Sequence, residues 1–281
     1  MIVNKLKLKR MLENFFLEDL GEGDRTTDLI IPKQNQGRLV IMAKETGIFS
    51  GVDIIRVGFP LLNESIEIEL NISDGSQVKK GEVLAIIKGN VGDLLKGERV
   101  ILNLIQRMSG VATLTNQAVQ KLNCSETKIC DTRKTTPGLR MLEKYAVRCG
   151  GGFNHRSGLY DGVMIKDNHI EYAGSIKLAV EQVKKQVGHM IKIEVETETM
   201  EQVIEAVDAK VDVIMFDNCQ PEQIRKLVSI VPKEIVTEAS GGIQLSNLAS
   251  YRGTGVDYIS LGFLTHSYQA LDISANLLID P

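Results

Sequence analysis

The sequence predicts an α/β protein in two parts, a small and mainly antiparallel sheet followed by a parallel array of strands and helices. Two observations carry this. Over the first hundred residues, short alternating apolar runs are broken by Gly, Asn and Asp, the period-2 pattern of half-buried strands. From about residue 128 the rhythm changes, and apolar strand candidates alternate with amphipathic helical stretches, the pattern of right-handed βαβ crossovers.

In chain order, MIVNKLKLKRMLENFF reads as an amphipathic first helix. GRLVIMAKETGIFSG, SIEIEL and VKKGEVLAIIKGN supply the strands of the small sheet. DGSQVKKGEVLAIIKG resembles the turn-and-strand pattern of lipoyl and biotinyl carrier domains. Lys79 and Lys80 precede a glycine, however, and lack the Asp and Met or Ala neighbours of a modified lysine, so the likeness is one of sheet topology. In LLKGERVILNLIQRMSGVATLT, Val100, Ile101, Leu104, Ile105 and Met108 recur at helical spacings. Arg99 stands beside Glu98 at its start, by itself a surface ion pair of little worth. Then come the strands KICDTR, DGVMIKD, IKIEVE, VDVIMFD, EIVTEAS and VDYISLG, with SIKLAVEQVKKQV, TMEQVIEAVDA and PEQIRKLVSIV as helices between. The roughly 160 residues of this half fall short of the ~200 or more of an eight-unit barrel. Six or seven strands fit, either as an incomplete barrel or as an open doubly wound sheet.

The chain has 281 residues, 43% hydrophobic and 25% charged, enough for one large domain or two smaller ones. A net charge of −3 and a pI near 5.9 give no footprint of nucleic-acid binding. No run approaches the ~18 apolar residues of a membrane span, and the basic N-terminus lacks the apolar core of a signal peptide. Cys124, Cys130, Cys149 and Cys219 lie far apart without CxxC spacing, as expected of thiols in a reducing cytoplasm.

Chemistry collects at the strand ends of the second half. KICDTRK ends on Asp131, Arg133 and Lys134; GVMIKD on Lys166; IKIEVE on Glu196; VDVIMFD on Asp217; IVTEASGG on Ser240, Gly241 and Gly242; YISLG on Gly262. One charged strand end means nothing, but six together point to a shared site, because barrel sites sit at the carboxyl ends of strands. Between Asp131 and Ile170, seven basic residues face four acidic ones in a chain that is acidic overall. Arg140, Lys144 and Arg148 are four apart and read as one solvated helix face, which leaves Arg133, Lys134, Arg156 and Lys166 for a ligand. Arginine forks match carboxylates and lysine offers a mobile point charge, so the mixture suits a small polyanion bearing both carboxylates and phosphates. Glu196 and Asp217, from successive strands, are able to hold Mg²⁺ or ribose hydroxyls or to stabilise a positive sugar carbon, the bland alternative being helix N-caps. The ASGG turn and LGF offer backbone N–H groups to a phosphate. GxxxxGK(S/T), GxGxxG and HExxH do not occur, and the four histidines lack metal-ligand spacing. His169, His189 and His266 read as structural, and His155 in its glycine-rich loop stands between the two readings.

At DTRKTTPGLR, GGGFNHRSGLYDGVMIKDNH, EVE, FDN, EASGGI and GVDYISLG the sequence resembles the quinolinate phosphoribosyltransferases, the decarboxylating nicotinate-nucleotide pyrophosphorylases of NAD biosynthesis. The resemblance runs from GEGDRTTDLI to LDIS. It implies an N-terminal α/β sandwich over 1–108, completed by 267–281, and an incomplete α/β barrel of six or seven strands over 109–266. It implies Mg²⁺ with phosphoribosyl pyrophosphate, a cytoplasmic location, and homodimers with shared active sites, hexamers being a further option. Site roles follow by motif. Arg99 would reach in from the partner; Thr132, Arg133, His155, Arg156 and Lys166 would surround quinolinate. Lys134 would serve the phosphoribosyl side, Glu196 and Asp217 the ribose and the metal, and Ser240, Gly241, Gly242, Leu261, Gly262 and Phe263 the 5′-phosphate. Lys134, Lys166, Glu196 and Asp217 would be catalytic. Two rivals are a relative of the molybdenum-transport-associated type acting on another substrate, and a barrel lyase forming an imine on Lys166.

Overall fold

The computed structural model describes residues 3–32 and 34–279. Met1, Ile2, Lys33, Asp280 and Pro281, which fall in the expected N-terminal domain and its C-terminal completion, lie outside the described residues. The chain forms two compact units: Met1–Asn116 with Met141–Gly151 and Ser267–Pro281, and Gln117–Arg140 with Gly152–His266. Among the described residues no helix is long and apolar enough to cross a membrane.

In the first unit, α1 (Lys5–Leu20) is capped by Asn4 and buries Leu8, Leu12 and Phe16, one face of a 3.6-residue helix. α2 (Arg25–Ile30) starts at Asp24, whose carboxylate accepts the Thr26 and Thr27 N–H groups, each at 3.0 Å. β1 (Gln36–Ala43), β2 (Gly47–Ile48), α3 (Val52–Leu62), β3 (Glu67–Leu70), β4 (Gln77–Val78) and β5 (Val83–Asn90) follow. α4 (Val91–Leu122) buries Val100, Ile101, Leu104, Ile105 and Met108, the residues whose spacing foretold it.

The second unit is built on β6 (Lys128–Cys130); after α5 (Arg140–Cys149), nearly all of which belongs to the first unit, come β7 (Val163–Ile165), α6 (Asp167–Ala173) and α7 (Ile176–Lys184). β8 (Ile193–Thr197), α8 (Met200–Asp208), β9 (Val213–Asp217), α9 (Pro221–Val228), β10 (Val236–Ser240), a 3₁₀ turn (Leu248–Tyr251), β11 (Tyr258–Ser260) and α10 (Phe263–His266) complete it. All six strands are parallel, in the order β6-β11-β10-β9-β8-β7. β7 to β11 pair in sequence, and β6 pairs with the last strand. This is the cyclic order of a barrel left open between β6 and β7, and the doubly wound alternative is thereby set aside. At the β6 edge of that seam, Phe153 forms a single parallel bridge to Cys130.

The chain ends in the first unit with β12 (Ile273–Ile279), antiparallel to β1 from Gly37↔Ile279 to Ala43↔Ile273, which gives the sheet β12-β1-β5-β3. Met141–Gly151 also belongs to this unit, because polar groups tie it there. Tyr145 Oη donates to Asp74 Oδ2 at 2.6 Å, and Arg107 Nε donates to Glu143 Oε1 at 2.9 Å. Glu143 is 0% and Lys144 1% exposed. The expected solvated face of Arg140, Lys144 and Arg148 is therefore corrected. Residues four apart share a helix face, but spacing does not say whether that face is wet. Arg140 itself is spent on Thr135 Oγ1 (2.8 Å) and the Ser157 carbonyl (3.1 Å).

Arg107 answers a fully buried carboxylate and lies 4.9 Å from the centroid of the Tyr268 ring. Arg107→Ala is expected to cost about 3–5 kcal/mol, the usual penalty for stranding a buried charge, and Arg107→Lys distinctly less. Denaturant midpoints of the two variants check this; equal, sub-kilocalorie losses would contradict it.

Candidate active site

The carboxyl ends of the six parallel strands form one mouth. Register sets Ser240 beside Asp217 on β10 and β9 and Glu196 beside Met215 on β8 and β9, and strand alternation puts Met215 and Asp217 on the same face. Lys166, at the end of β7, makes an ion pair with Glu196. That counter-ion would have to be shed by an imine-forming lysine, whose amine must be neutral to react. His169 Nδ1 accepts the Lys166 N–H at 3.0 Å, a structural use of that ring.

The turn after β10 is shaped for close approach. Gly241 and Gly242 have φ of +81° and +63°. A Cβ on Gly241 would lie 2.2 Å from Asn218 Oδ1, so only glycine fits. Asn218 N donates to the Ser240 carbonyl at 2.9 Å, and Asn218 Nδ2 donates to Asp217 Oδ2 at 2.8 Å. Asp217 is no N-cap: α9 is capped at Gln220, three residues later, and α8 at Thr199 rather than Glu196. Both acids are thus free of the bland role that spacing allowed them.

On the opposite side, β6 delivers Asp131, Thr132, Arg133 and Lys134. Asp131 is 0% exposed and holds the seam turn, accepting Asn154 Nδ2 at 2.6 Å and the His155 N–H at 2.9 Å. Arg156 is half-buried, with one guanidinium nitrogen on the Gly162 carbonyl at 2.9 Å. Burial first, and the nearby Arg133 guanidinium second, pull its pKa down. The two arginines therefore share one cationic wall. Thr132 Oγ1 accepts the Lys134 N–H at 3.0 Å, and Thr265 Oγ1 donates to the Lys134 carbonyl at 2.7 Å. A Cβ on Gly262 would stand 2.8 Å from Lys134 Cδ, so Gly262 lets the lysine stem lie across the β11 turn. Phe263 opens α10, and Arg99 lies on α4 of the first unit with a 62% exposed side chain.

Two of the expected site residues carry hydrogen bonds of the fold itself. Leu261 is 1% exposed and its N–H is committed to the Cys130 carbonyl at 2.9 Å, so it has no donor left for a phosphate and serves to set the turn. The His155 ring has both nitrogens engaged away from a ligand: Nδ1 accepts the Arg156 N–H at 2.7 Å, and Nε2 faces Glu194 Oε2 at 3.0 Å. His155 thus supports the wall from behind. Glu194 and Glu238, 5% and 4% exposed, were missed in the sequence. The signal was present: each sits two residues before a mouth residue, Glu196 or Ser240, and so on the same strand face. Glu238 is pushed up to about 7, by burial first and by Glu194 second, with His155 opposing.

Known proteins resemble this chain over nearly its whole length. Residues 111–276 match the family model of the quinolinate phosphoribosyl transferase C-terminal domain, and residues 24–109 that of the N-terminal domain. The chain is 56% identical over 277 residues to a probable nicotinate-nucleotide pyrophosphorylase [carboxylating] of Bacillus subtilis, covering 99% of this chain and 96% of that protein. It is 42% identical over 270 residues to a protein of the same description from Synechocystis, covering 95% and 91%. The crystal structure of NadC from Streptococcus pyogenes superposes with a TM-score of 0.97 at 36% identity over 100% of both chains.

The raised pKa of Glu238 makes stability depend on pH. The folded chain keeps a proton that the unfolded chain, with an ordinary value of 4.5, has released. The stability this proton supplies is therefore fully present below about 4.5 and is lost as pH rises through about 7. Glu238→Gln is expected to flatten that decline, as measured by denaturant midpoints between about pH 4.5 and 8. An unchanged slope would remove Glu238 as its source.

Proposed function

The chain belongs to the quinolinate phosphoribosyltransferase family, and we propose from that premise that it transfers phosphoribose from phosphoribosyl pyrophosphate to quinolinate with decarboxylation. The products are nicotinate mononucleotide, pyrophosphate and CO₂, in the de novo route to NAD. The observation that carries this at the level of chemistry is the division of one mouth by sign. Arg133, Arg156 and Lys166 provide the cations, Glu196 and Asp217 the acids, and a glycine turn at 240–242 lies between the late strands.

Quinolinate is a dianion, and the arginine forks of Arg133 and Arg156 suit its two carboxylates, with Lys166 as a third charge. The 5′-phosphate goes to the backbone of Ser240, Gly241, Gly242, Gly262 and Phe263, where two left-handed glycines and a side-chain-free approach leave N–H groups open to an anion. Lys134, exposed beside Gly262, adds charge on the phosphoribosyl side. As the bond from the ribose carbon to pyrophosphate lengthens, the leaving group takes the electron pair and the sugar becomes cationic. Glu196 and Asp217 stabilise that charge while the pyridine nitrogen attacks. The ring nitrogen, now positive, stabilises the electron pair left on the adjacent carbon as its carboxylate departs as CO₂, and that pair takes up a proton. Catalysis thus rests on positioning and fixed charge, which suits a site without a nucleophile.

Mg²⁺ is part of this reading. Glu196 and Asp217 are oxygen donors on neighbouring strands, the donor set of a cation that takes one or two protein carboxylates and completes its shell with substrate phosphates and water. When bound, it neutralises charge on the departing pyrophosphate. A homodimer in which the partner's copy of Arg99 completes the site also belongs to the proposal, supported by the exposure of that arginine. So does a cytoplasmic location, which suits four free cysteines.

Incubation with quinolinate, phosphoribosyl pyrophosphate and Mg²⁺ is expected to release CO₂ and nicotinate mononucleotide; failure to form either sinks the reading. Arg133→Ala and Lys166→Ala are each expected to raise KM for quinolinate by roughly ten- to a hundredfold, the worth of a charged hydrogen bond, whereas Asp217→Ala mainly lowers kcat. Arg99→Ala and Asp217→Ala, each impaired alone, are expected to recover activity when mixed as dimers. Absence of recovery would separate the shared site from the rest of the proposal.

A further inference from the structure

Two carboxylates inside the barrel take no part in the reaction as derived. Glu194 pairs in register with Val213, the first residue of β9, and Glu238 with Tyr258, the first residue of β11, so both lie below the mouth. They line a cavity of about 310 Å³ near the strand starts, together with Phe153, Lys192 and Tyr258. Oε1 of each, and the buried hydroxyl of Ser260, make no hydrogen bond. Buried acids of this kind are costly unless something answers them.

A metal ion is the first candidate, since ligand atoms of His155, Glu194 and Glu238 lie within 4.8 Å of one another. The imidazole argues against it. Its Nδ1 accepts the Arg156 N–H at 2.7 Å and so bears no proton, which places the ring proton on Nε2, facing Glu194 Oε2 at 3.0 Å. A cation would need the very lone pair that this proton occupies.

We propose instead that Glu194 is a positioning residue for the pyridine dicarboxylate: it fixes the tautomer and plane of His155 and, through the bond from the Arg156 N–H to His155 Nδ1, holds Arg156 in the wall that grips the substrate. The inference rests on the quinolinate reading of that wall. The 154–156 turn is pinned at Asn154 and at His155 N by Asp131, and at Arg156 N by the His155 ring. Only the last of these depends on how the ring itself is anchored, and its anchor is Glu194. Glu238, 3.7 Å from the same Nε2, is the reserve acid. The groups facing it are Glu194 on β8, Ser260 on β11, Asp131 after β6 and His155 on the turn; β9 contributes only Val213 and Met215 at this level. Its pKa, raised by burial first and by Glu194 second, lets Glu238 keep a proton near neutrality.

The test uses full-length protein with Glu194→Met, which keeps the volume and removes the acceptor, and Glu194→Gln, which keeps a carbonyl for Nε2–H. In the unliganded wild type, ¹⁵N-histidine spectra are expected to show one ring held as the Nε2–H tautomer. Glu194→Met should convert that ring to a mixture of tautomers and raise KM for quinolinate about tenfold, with kcat and KM for phosphoribosyl pyrophosphate moving less than about threefold. Glu194→Gln should restore both the tautomer and most of the KM. An unchanged ring spectrum in Glu194→Met overturns the proposal whatever the substrate proves to be. A moved spectrum with unmoved KM overturns the link to the wall. Should Glu194→Met not fold, the outcome turns on Glu194→Gln. A quinolinate KM near wild type with a shifted His155 Nε2–H resonance, as expected when an amide carbonyl replaces the carboxylate acceptor, supports the proposal, and an unshifted resonance defeats it. If the wild type turns over no quinolinate, the reading of the site fails, while the ring spectra still decide what Glu194 does.

Discussion

The mouth of the second unit depends on β6 pairing with β11, its last strand, and not with β7, its next. Three register pairs, Lys128↔Tyr258, Ile129↔Ile259 and Cys130↔Ser260, join segments some 130 residues apart. Because the strands are parallel, the residues that leave them emerge side by side. Lys134 is thereby held by Thr265 and lies over Gly262. The same pairing leaves a seam on the far side of β6. An exposed parallel edge is a row of unmet hydrogen-bonding groups, and here Phe153 covers it with a single bridge while the following residues turn inward. The cationic wall is a product of that turn.

A wall of this kind cannot stand on cations alone. Burial lowers the pKa of the Arg156 guanidinium, and repulsion from Arg133 lowers it further. The offset comes from Glu194, Asp161 and Glu196, whose charges favour the protonated Arg156 guanidinium. Asp131 spends both oxygens on the turn's own N–H groups, so its charge is neutralised by fixed dipoles and by position. The electrostatics of the cationic wall and the hydrogen bonding of the fold are therefore one system, and a change in either reaches the other.

Local pattern carried much of this into the sequence. All six parallel strands, the helix over α4 and the strand-end residues were legible because each depends on period and polarity within a few residues. Strand order was not, since the β6–β11 ladder is a long-range pairing that no local period encodes. Lys144 was misread for a related reason: a four-residue spacing locates a face, and only the tertiary neighbours decide that the face is dry. His155 shows the limit at a site. Its neighbours in sequence mark it as cationic and loop-borne, yet the partner that fixes its ring, Glu194, lies some forty residues on, in the middle of an apolar strand. The family resemblance supplied the substrate class, and the hydrogen bonds add that the Leu261 N–H and both nitrogens of the His155 ring have partners within the fold.

Depth along a strand explains how one residue type serves both purposes. Glu194 and Glu196 occupy the same face of β8, two residues and so roughly 6–7 Å apart. Glu196, near the mouth and 18% exposed at its side chain, finds a mobile ammonium and remains accessible to a ligand. Glu194, one step deeper, finds an imidazole whose other nitrogen is already taken, and its charge is locked into the scaffold. β10 repeats the division with Ser240 above and Glu238 below. Where water and substrate can reach, a carboxylate is free to stabilise transient charge; where they cannot, it must be matched by fixed donors or hold a proton. An open barrel with alternating strand faces provides both environments within two residues, which is why the floor of this site is acidic beneath a wall that must be basic.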